Sequence, residues 1–230
     1  MEKEAGILIQ EMKIALPIQK QAYAVFFVII LSLVRGVTYS GEIGIALEAP
    51  MAVLALTFCA HTYTQEITSR RSEIWRLCPM KKRMHSIYRR IGIQELFLLS
   101  VAAAGYGMFF LFQNPGTAKT GAGVLESEIS QFLVYVSAIA VTLVFWGLLS
   151  NILSCLFRNM WAGIGGCLLL WLITNSSTGD RYFGAWNLFS YAFRELEDNK
   201  DLSWLYGKMV CICMGFIAAA VLPEIIEKRG

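Results

Sequence analysis

The stretch of sequence that decides the fold is residues 129–157, which read ISQFLVYVSAIAVTLVFWGLLSNILSCLF and contain no Asp, Glu, Lys, Arg or His. An α-helix needs about 20 consecutive apolar residues to cross the hydrocarbon core of a bilayer, and this stretch exceeds that length. It therefore predicts a membrane-spanning helix.

The rest of the chain has the same character. Hydrophobic residues make up 56% of the 230 residues and charged residues only 16%, with a mean hydropathy of +0.54, whereas soluble domains carry about 25% charged residues. The charges cluster, so that residues 49–65, 96–118 and 159–179 are also free of them if His61 counts as neutral. Two shorter gaps, 21–34 and 209–223, reach spanning length if Arg35 or Lys208 extends its charge to the lipid headgroups.

These gaps predict an all-α integral membrane protein with six transmembrane helices, built as a single transmembrane domain over residues 1–230. In chain order the predicted segments are an N-terminal interfacial helix (1–17), TM1 (18–38), TM2 (49–65), a cytosolic helix and basic loop (66–90), TM3 (92–113), TM4 (129–150), TM5 (160–176), an outer segment (181–200) and TM6 (205–223).

The basic residues predict the orientation of the chain. With both termini in the cytoplasm, more than two thirds of the 20 Lys and Arg residues lie on the cytosolic side, as the positive-inside rule requires. The first apolar run lacks a small-residue cleavage site, so we expect it to stay in the mature protein. The predicted location is the cell membrane, with multiple passes.

Residues 66–90 form the most informative segment and read EITSRRSEIWRLCPMKKRMHSIYRR. The apolar residues that share one helical face are Ile67, Ile74, Trp75 and Cys78. Oppositely charged pairs at helical spacing are Glu66 with Arg70 and Glu73 with Arg76. Because Pro79 ends such a helix, the segment predicts an amphipathic cytosolic helix over residues 66–79.

Two further segments have an interfacial character. Residues 1–17 alternate apolar and polar side chains in a pattern that fits a helix lying on the membrane surface, although a frayed polar tail also fits. The outer segment concentrates aromatic residues, which are Tyr182, Phe183, Trp186, Phe189, Tyr191 and Phe193. Both an aromatic belt at a span end and a short re-entrant hairpin are consistent with them.

The motifs that the chain lacks narrow its function. It contains no phosphate-binding loop of the Gly-x-x-x-x-Gly-Lys-Ser/Thr type, no His-Glu-x-x-His and no Gly-x-Ser-x-Gly. We therefore predict no catalytic, cofactor-binding or metal-binding residue and no enzymatic activity in this chain. TM4 and TM5 carry no ionisable residue, which argues against ion coupling. At the foot of TM3 we expect Glu95 to pair with Arg89, Arg90 or His85.

The order of the predicted elements resembles the type-2 (ABC-2) permease subunits of ABC transporters. The local match lies in residues 66–90, where Leu77-Cys78-Pro79 is similar to the Leu-x-Pro of that family. Residues 187–191 read NLFSY and are similar to the family's Asn-Pro-Phe-Ser-Tyr, with Leu188 in the place of the Pro.

This resemblance implies a coupling helix that binds a separate cytosolic ATPase subunit, together with an elbow helix at residues 1–17 and a re-entrant outer segment. The residues implied in the ATPase contact are Glu66, Arg70, Arg71, Glu73, Ile74, Trp75, Arg76, Leu77 and Pro79. A second, smaller cytosolic contact is implied for Asn151 and Arg158. ATP and Mg²⁺ are then expected on the partner subunit and not on this chain.

The resemblance also implies a second permease, identical or related, since six spans are too few to enclose a path. The remaining expected partner is the lipid bilayer, and no nucleic acid is expected. Uncharged spans suit export of an apolar or amphipathic cargo such as a peptide, a drug or a lipid. Two other classes stay open, namely an ion-coupled secondary carrier or channel, and a membrane-embedded enzyme or sensor subunit.

Overall fold

The computed structural model describes residues 2–68, 78–116, 124–193 and 202–229, and these residues are almost entirely helical. The helices are α1 (Glu2–Ala15), α2 (Ile18–Val34), α3 (Ser40–Cys59), α4 (His61–Thr68), α5 (Met80–Gln113), α6 (Val124–Phe157), α7 (Met160–Thr174), α8 (Ser177–Phe183) and α9 (Trp204–Arg229). A short 3-10 turn, Gly184–Trp186, follows α8. The predicted all-α fold is confirmed for this part of the chain.

Four helical stretches are long and apolar enough to cross a membrane, and they are Ser40–Thr64, Met80–Gln113, Glu128–Phe157 and Trp204–Lys228. Two bent pairs raise the number to six if each is one span. In the first pair, Leu8–Ala15 meets Ile18–Val34 at 58°, and in the second, Met160–Thr174 meets Ser177–Trp186 at 72°. The chain is therefore a multi-pass membrane protein with four to six candidate spans.

The spanning helices extend beyond the charge-free gaps of the sequence. Helix α3 begins at Ser40 rather than at residue 49, because Glu42 caps its first turn by accepting hydrogen bonds from the backbone N–H groups of Thr38 (2.8 Å) and Tyr39 (3.4 Å). Glu48, the charged residue directly before the charge-free gap 49–65, lies inside this helix and is buried. The helix therefore continues through a charged residue at which the predicted span begins.

Helix α6 lies at the centre of the bundle and packs against α3, α5, α7 and α9. Its fully buried large side chains include Tyr135, Phe145 and Trp146. Of the four candidate spans, Ser40–Thr64 is the most enclosed and Trp204–Lys228 the most exposed. The exposed apolar side chains of α9 are thus available to lipid or to another protein chain.

The N-terminal helix α1 is fixed to the first turns of α5. The Glu11 carboxylate accepts hydrogen bonds from Arg90 Nε, with which it forms an ion pair, and from Ser86 Oγ at 2.5 Å. One turn further along α5, Gln94 Nε2 donates to the backbone oxygen of Ala15 at 3.0 Å. Because Arg90, Gln94 and Ala15 are buried, these bonds hold α1 against α5 with little competition from water.

The turn at residues 187–190, here called the 187–190 turn, packs tightly against α9. Asn187 Nδ2 donates to the backbone oxygen of Thr174 at 2.9 Å, and Ser190 Oγ donates to that of Trp204 at 2.7 Å. Gly207 makes this approach possible, since a Cβ atom there would overlap the backbone oxygen of Asn187 and lie 2.9 Å from Ser190 Cβ.

Gly207→Ala is expected to destabilise the protein by about 1–3 kcal/mol, because the added methyl group overpacks the contact with the 187–190 turn. The matched control is Gly215→Ala on the same helix, where a Cβ meets no atom within 4 Å and the change to Ala favours helix formation by up to about 1 kcal/mol. Thermal unfolding of both variants in detergent measures the difference. Equal stability of the two variants would contradict this packing.

Candidate functional site

A buried ion pair joins α3 to α9 within the candidate spans. Lys208 is 3% exposed and Glu48 is 0% exposed, and Lys208 Nζ donates a hydrogen bond to Glu48 Oε1. The ammonium group also donates to Thr142 Oγ1 of α6 at 2.8 Å and to the backbone oxygen of Leu188 at 3.1 Å. All three protons of the ammonium group therefore have an acceptor.

This pair differs from the sequence-based expectation for Lys208. The expectation that its charge extends to the lipid headgroups is wrong, because the side chain points into the bundle and binds Glu48. In the sequence Glu48 and Lys208 are separated by 160 positions, and each stands at the edge of an apolar stretch. The sequence could show only that each charged residue lies next to an apolar stretch and so could belong to a spanning helix. That the two residues are close to each other depends on how α3, α6 and α9 pack.

A second buried carboxyl group, Glu95 of α5, lies elsewhere in the bundle. Its Oε1 accepts a hydrogen bond from Cys59 Sγ at 3.4 Å, and its Oε2 has no hydrogen-bond partner among the described residues. The carboxyl group contacts α6 at Gly147, where a Cβ atom would overlap Oε1. A side chain larger than hydrogen at position 147 would displace the acid.

The expected pairing of Glu95 with Arg89, Arg90 or His85 is wrong as well. Arg90 forms its ion pair with Glu11 of α1, while Arg89 Nη2 lies 2.7 Å from His85 Nε2, one turn earlier on the same helix. Residues 89 and 90 lie more than one helical turn before Glu95, and their side chains contact His85 and Glu11 instead. Glu95 therefore has no ion-pair partner in the described part of the chain.

Polar groups continue from Glu95 along one face of α6, here called the α6 polar face and defined by Gly147, Asn151 and Ser154. These positions have the i, i+4, i+7 spacing of one helical face, and both side chains are 0% exposed. Asn151 Nδ2 donates to the Gly147 backbone oxygen at 2.9 Å, whereas Asn151 Oδ1 and Ser154 Oγ have no hydrogen-bond partner among the described residues.

The predicted ATPase-binding residues lie mostly outside the described residues, since 69–77 are not among them. At the borders, residue 66 belongs to α4, and Pro79 precedes the first residue of α5. Of the second predicted contact, Asn151 is buried in the bundle, whereas Arg158 is exposed in the turn between α6 and α7, where its φ is 51°.

An apolar groove of about 840 Å³ lies between α6 and α9. Its lining includes Val141 of α6, Trp186 of the 3-10 turn, and Tyr206, Lys208 and Met209 of α9. No group of three or more His, Cys, Asp or Glu in the described ranges is placed to bind a metal ion. The groove therefore offers an apolar surface beside the buried ion pair.

Lys208→Met is expected to destabilise the protein by about 3–5 kcal/mol, because it leaves the Glu48 carboxylate buried without its cation. The double variant Glu48→Gln/Lys208→Met removes both charges and should regain most of that loss. Thermal unfolding in detergent measures both. Lys228→Met changes an exposed lysine of the same helix and should stay within about 0.5 kcal/mol of wild type.

Equal stability of Lys208→Met and Lys228→Met would contradict the ion pair. A double variant that is less stable than Lys208→Met alone would contradict the coupling between its two charges.

No protein-family model, no curated protein and no solved structure matches this chain. Its function must therefore be inferred from its own sequence patterns and from the geometry of its helices.

Proposed function

We propose that this chain is the membrane-spanning permease subunit of an ATP-binding cassette transporter with the type-2 layout. It would export an apolar or amphipathic substrate, using energy from a separate ATPase subunit that binds ATP and Mg²⁺. The observation that carries the proposal is the attachment of α1 to the first turns of α5, directly after the segment 66–79 that is expected to bind the ATPase.

This attachment supports a mechanical role. A push on residues 66–79 acts on α5 through Pro79, the residue that precedes its first turn. Because Glu11 is bonded to both Ser86 and Arg90, α1 must move with this end of α5. Force from an ATPase would thus reach two helices of the bundle, α1 and α5, at once.

The proposed layout has six spans, with both termini in the cytoplasm of a cell-membrane protein. In it, α2 and α7 cross the membrane without their bent partners. Helix α1 is an elbow helix on the cytosolic interface, and its 58° bend to α2 supports this assignment. The 72° bend after α7 supports a re-entrant segment on the outer side. Its non-helical backbone is bonded within the protein through Asn187 and Ser190, as backbone at membrane depth must be.

The exposed aromatic residues of this outer segment fit the same layout. Tyr182 is 83% exposed and Trp186 is 60% exposed, and both residue types are enriched where a membrane protein meets the headgroups. The basic residues that begin α5, Lys81 and Lys82, are exposed at the opposite end of the bundle. That end is cytosolic in the proposed orientation.

A second permease subunit completes the proposed assembly. Exposed apolar side chains of α9, among them Phe216 (73%) and Ile217 (63%), are available to lipid or to that subunit. The apolar groove between α6 and α9 supports a substrate with a large apolar part, such as a hydrophobic peptide, a drug or a lipid.

An ion-coupled secondary carrier is the second candidate. Carriers of this class place ionisable side chains inside their spans, and Glu48, Lys208 and Glu95 are buried inside candidate spans. A carrier of this kind would transport its substrate without ATP, whereas the proposed permease would not.

The test of the permease proposal is a pull-down from solubilised native membranes with the tagged chain, followed by an ATPase assay. Wild type is expected to recover a soluble ATPase, and Trp75→Ala/Arg71→Glu is expected to lose it, because the change removes the apolar anchor and reverses a charge beside it. The matched control is Trp186→Ala/Arg181→Glu, which alters an exposed Trp and an exposed Arg of the outer segment.

Retention of the ATPase by the control together with its loss from Trp75→Ala/Arg71→Glu would support the proposal. Recovery of no ATPase by wild type, combined with ATP-independent transport in vesicles, would overturn it in favour of the carrier.

A further inference from the structure

Glu95 differs from every other buried charged residue in the described part of the chain. Glu48 and Lys208 neutralise each other, and Arg90 is neutralised by Glu11. Glu95 is 8% exposed, and among the described residues its hydrogen-bond donor is the thiol of Cys59, at 3.4 Å. A buried carboxylate without a cation is strongly disfavoured relative to the neutral acid.

Among the described residues, the groups that contact Glu95 from neighbouring helices include no cation. Helix α3 contributes Cys59, and α6 contributes Gly147. Lys20 of α2 reaches the residue of α3 that precedes Cys59, where its ammonium group donates to the backbone oxygen of Phe58 at 2.8 Å and lies over the Phe58 ring. The environment of Glu95 thus favours a carboxyl group that carries its own proton.

Buried polar atoms line the α6 polar face between Glu95 and the end of α6. Asn151 Oδ1 and Ser154 Oγ are buried and without a hydrogen-bond partner among the described residues, as is Glu95 Oε2. Buried polar atoms of this kind are the usual partners of internal water. From Gly147 to Ser154 the face rises about 10 Å along α6, toward the helix end at Phe157.

We propose that Glu95 is a proton-binding site inside the bundle, and that its proton exchanges with water along the α6 polar face from the Phe157 end of α6. Binding converts the carboxylate to the neutral acid, with the proton on one carboxyl oxygen and Cys59 as the hydrogen-bond donor to the other. Release returns a negative charge to a site without a cation, so water must enter the face when the proton leaves.

This site does not require an ATPase partner, and it would serve either a permease or a carrier. In the orientation proposed above, the Phe157 end of α6 is cytosolic, so the proton would exchange with the cytoplasm. The Glu48–Lys208 pair lies on the other side of Gly147 along α6, where Thr142 binds both of its members. Its charges are already balanced, which distinguishes it from Glu95.

The test is infrared spectroscopy of the full chain reconstituted in lipid, in which a protonated carboxyl group gives its own carbonyl stretching band. Wild type is expected to show this band at neutral pH and to lose it at alkaline pH. Glu95→Gln should abolish the band, because the side-chain amide contains no carboxylic acid group. The matched control Glu42→Gln alters a carboxylate that caps α3 at the bundle surface and should retain the band.

A second pair of variants tests the site without removing the acid and applies even if Glu95→Gln fails to fold. Cys59→Ala removes the thiol donor and should shift the pH at which the band disappears, whereas Cys213→Ala, at an exposed cysteine of α9, should not. Absence of the band from wild type at neutral pH would overturn the proposal. So would a band that Glu95→Gln leaves intact, and so would loss of the band on adding sodium at constant pH, which would indicate an alkali-cation site.

Discussion

The Lys208 ammonium group joins three helices and the 187–190 turn at one point of the bundle. Its three hydrogen bonds reach α3 through Glu48, α6 through Thr142 and the 187–190 turn through the Leu188 backbone, while the residue itself belongs to α9. A charge buried at this depth cannot be left without partners. The four parts of the chain therefore meet at one place, the Lys208 ammonium group.

Several close approaches accompany this requirement. Gly207 brings α9 onto the 187–190 turn, one residue before Lys208. Gly44 brings α3 close to Tyr191, since a Cβ atom there would overlap the Tyr191 hydroxyl group and lie 3.1 Å from Tyr135 Cδ2. The glycines at these two points let the helix backbones approach side chains and backbone of other segments closely. A larger residue at either point would prevent the contact.

The two carboxyl groups that contact α6 have opposite environments. Glu48 touches Thr142 and has a cation, whereas Glu95 touches Gly147 and has a thiol. Along α6 the two contacts are separated by about 7.5 Å, so one helix presents a balanced charge and an unbalanced acid in neighbouring turns. A separate ion pair, between Glu11 of α1 and Arg90 of α5, attaches the N-terminal helix to the same bundle. Two different polar contacts, the Glu48–Lys208 pair and the Glu11–Arg90 pair, thus fix separate parts of the bundle.

The sequence by itself determined the class of this protein. Apolar stretches such as residues 129–157 predict membrane-crossing helices whatever their neighbours are, because each helix satisfies its own backbone hydrogen bonds. It also indicated a helix over residues 1–17, where α1 is found, and an aromatic segment after α7, where a 72° bend is found. The tertiary structure alone decided where the charges go. Lys208 and Glu95 stand at span edges in the sequence, where water or a nearby residue is the expected partner. In the structure Lys208 binds Glu48 and Glu95 binds Cys59, each on another helix. That choice depends on the rotation and packing of whole helices, which the local pattern of residues does not specify.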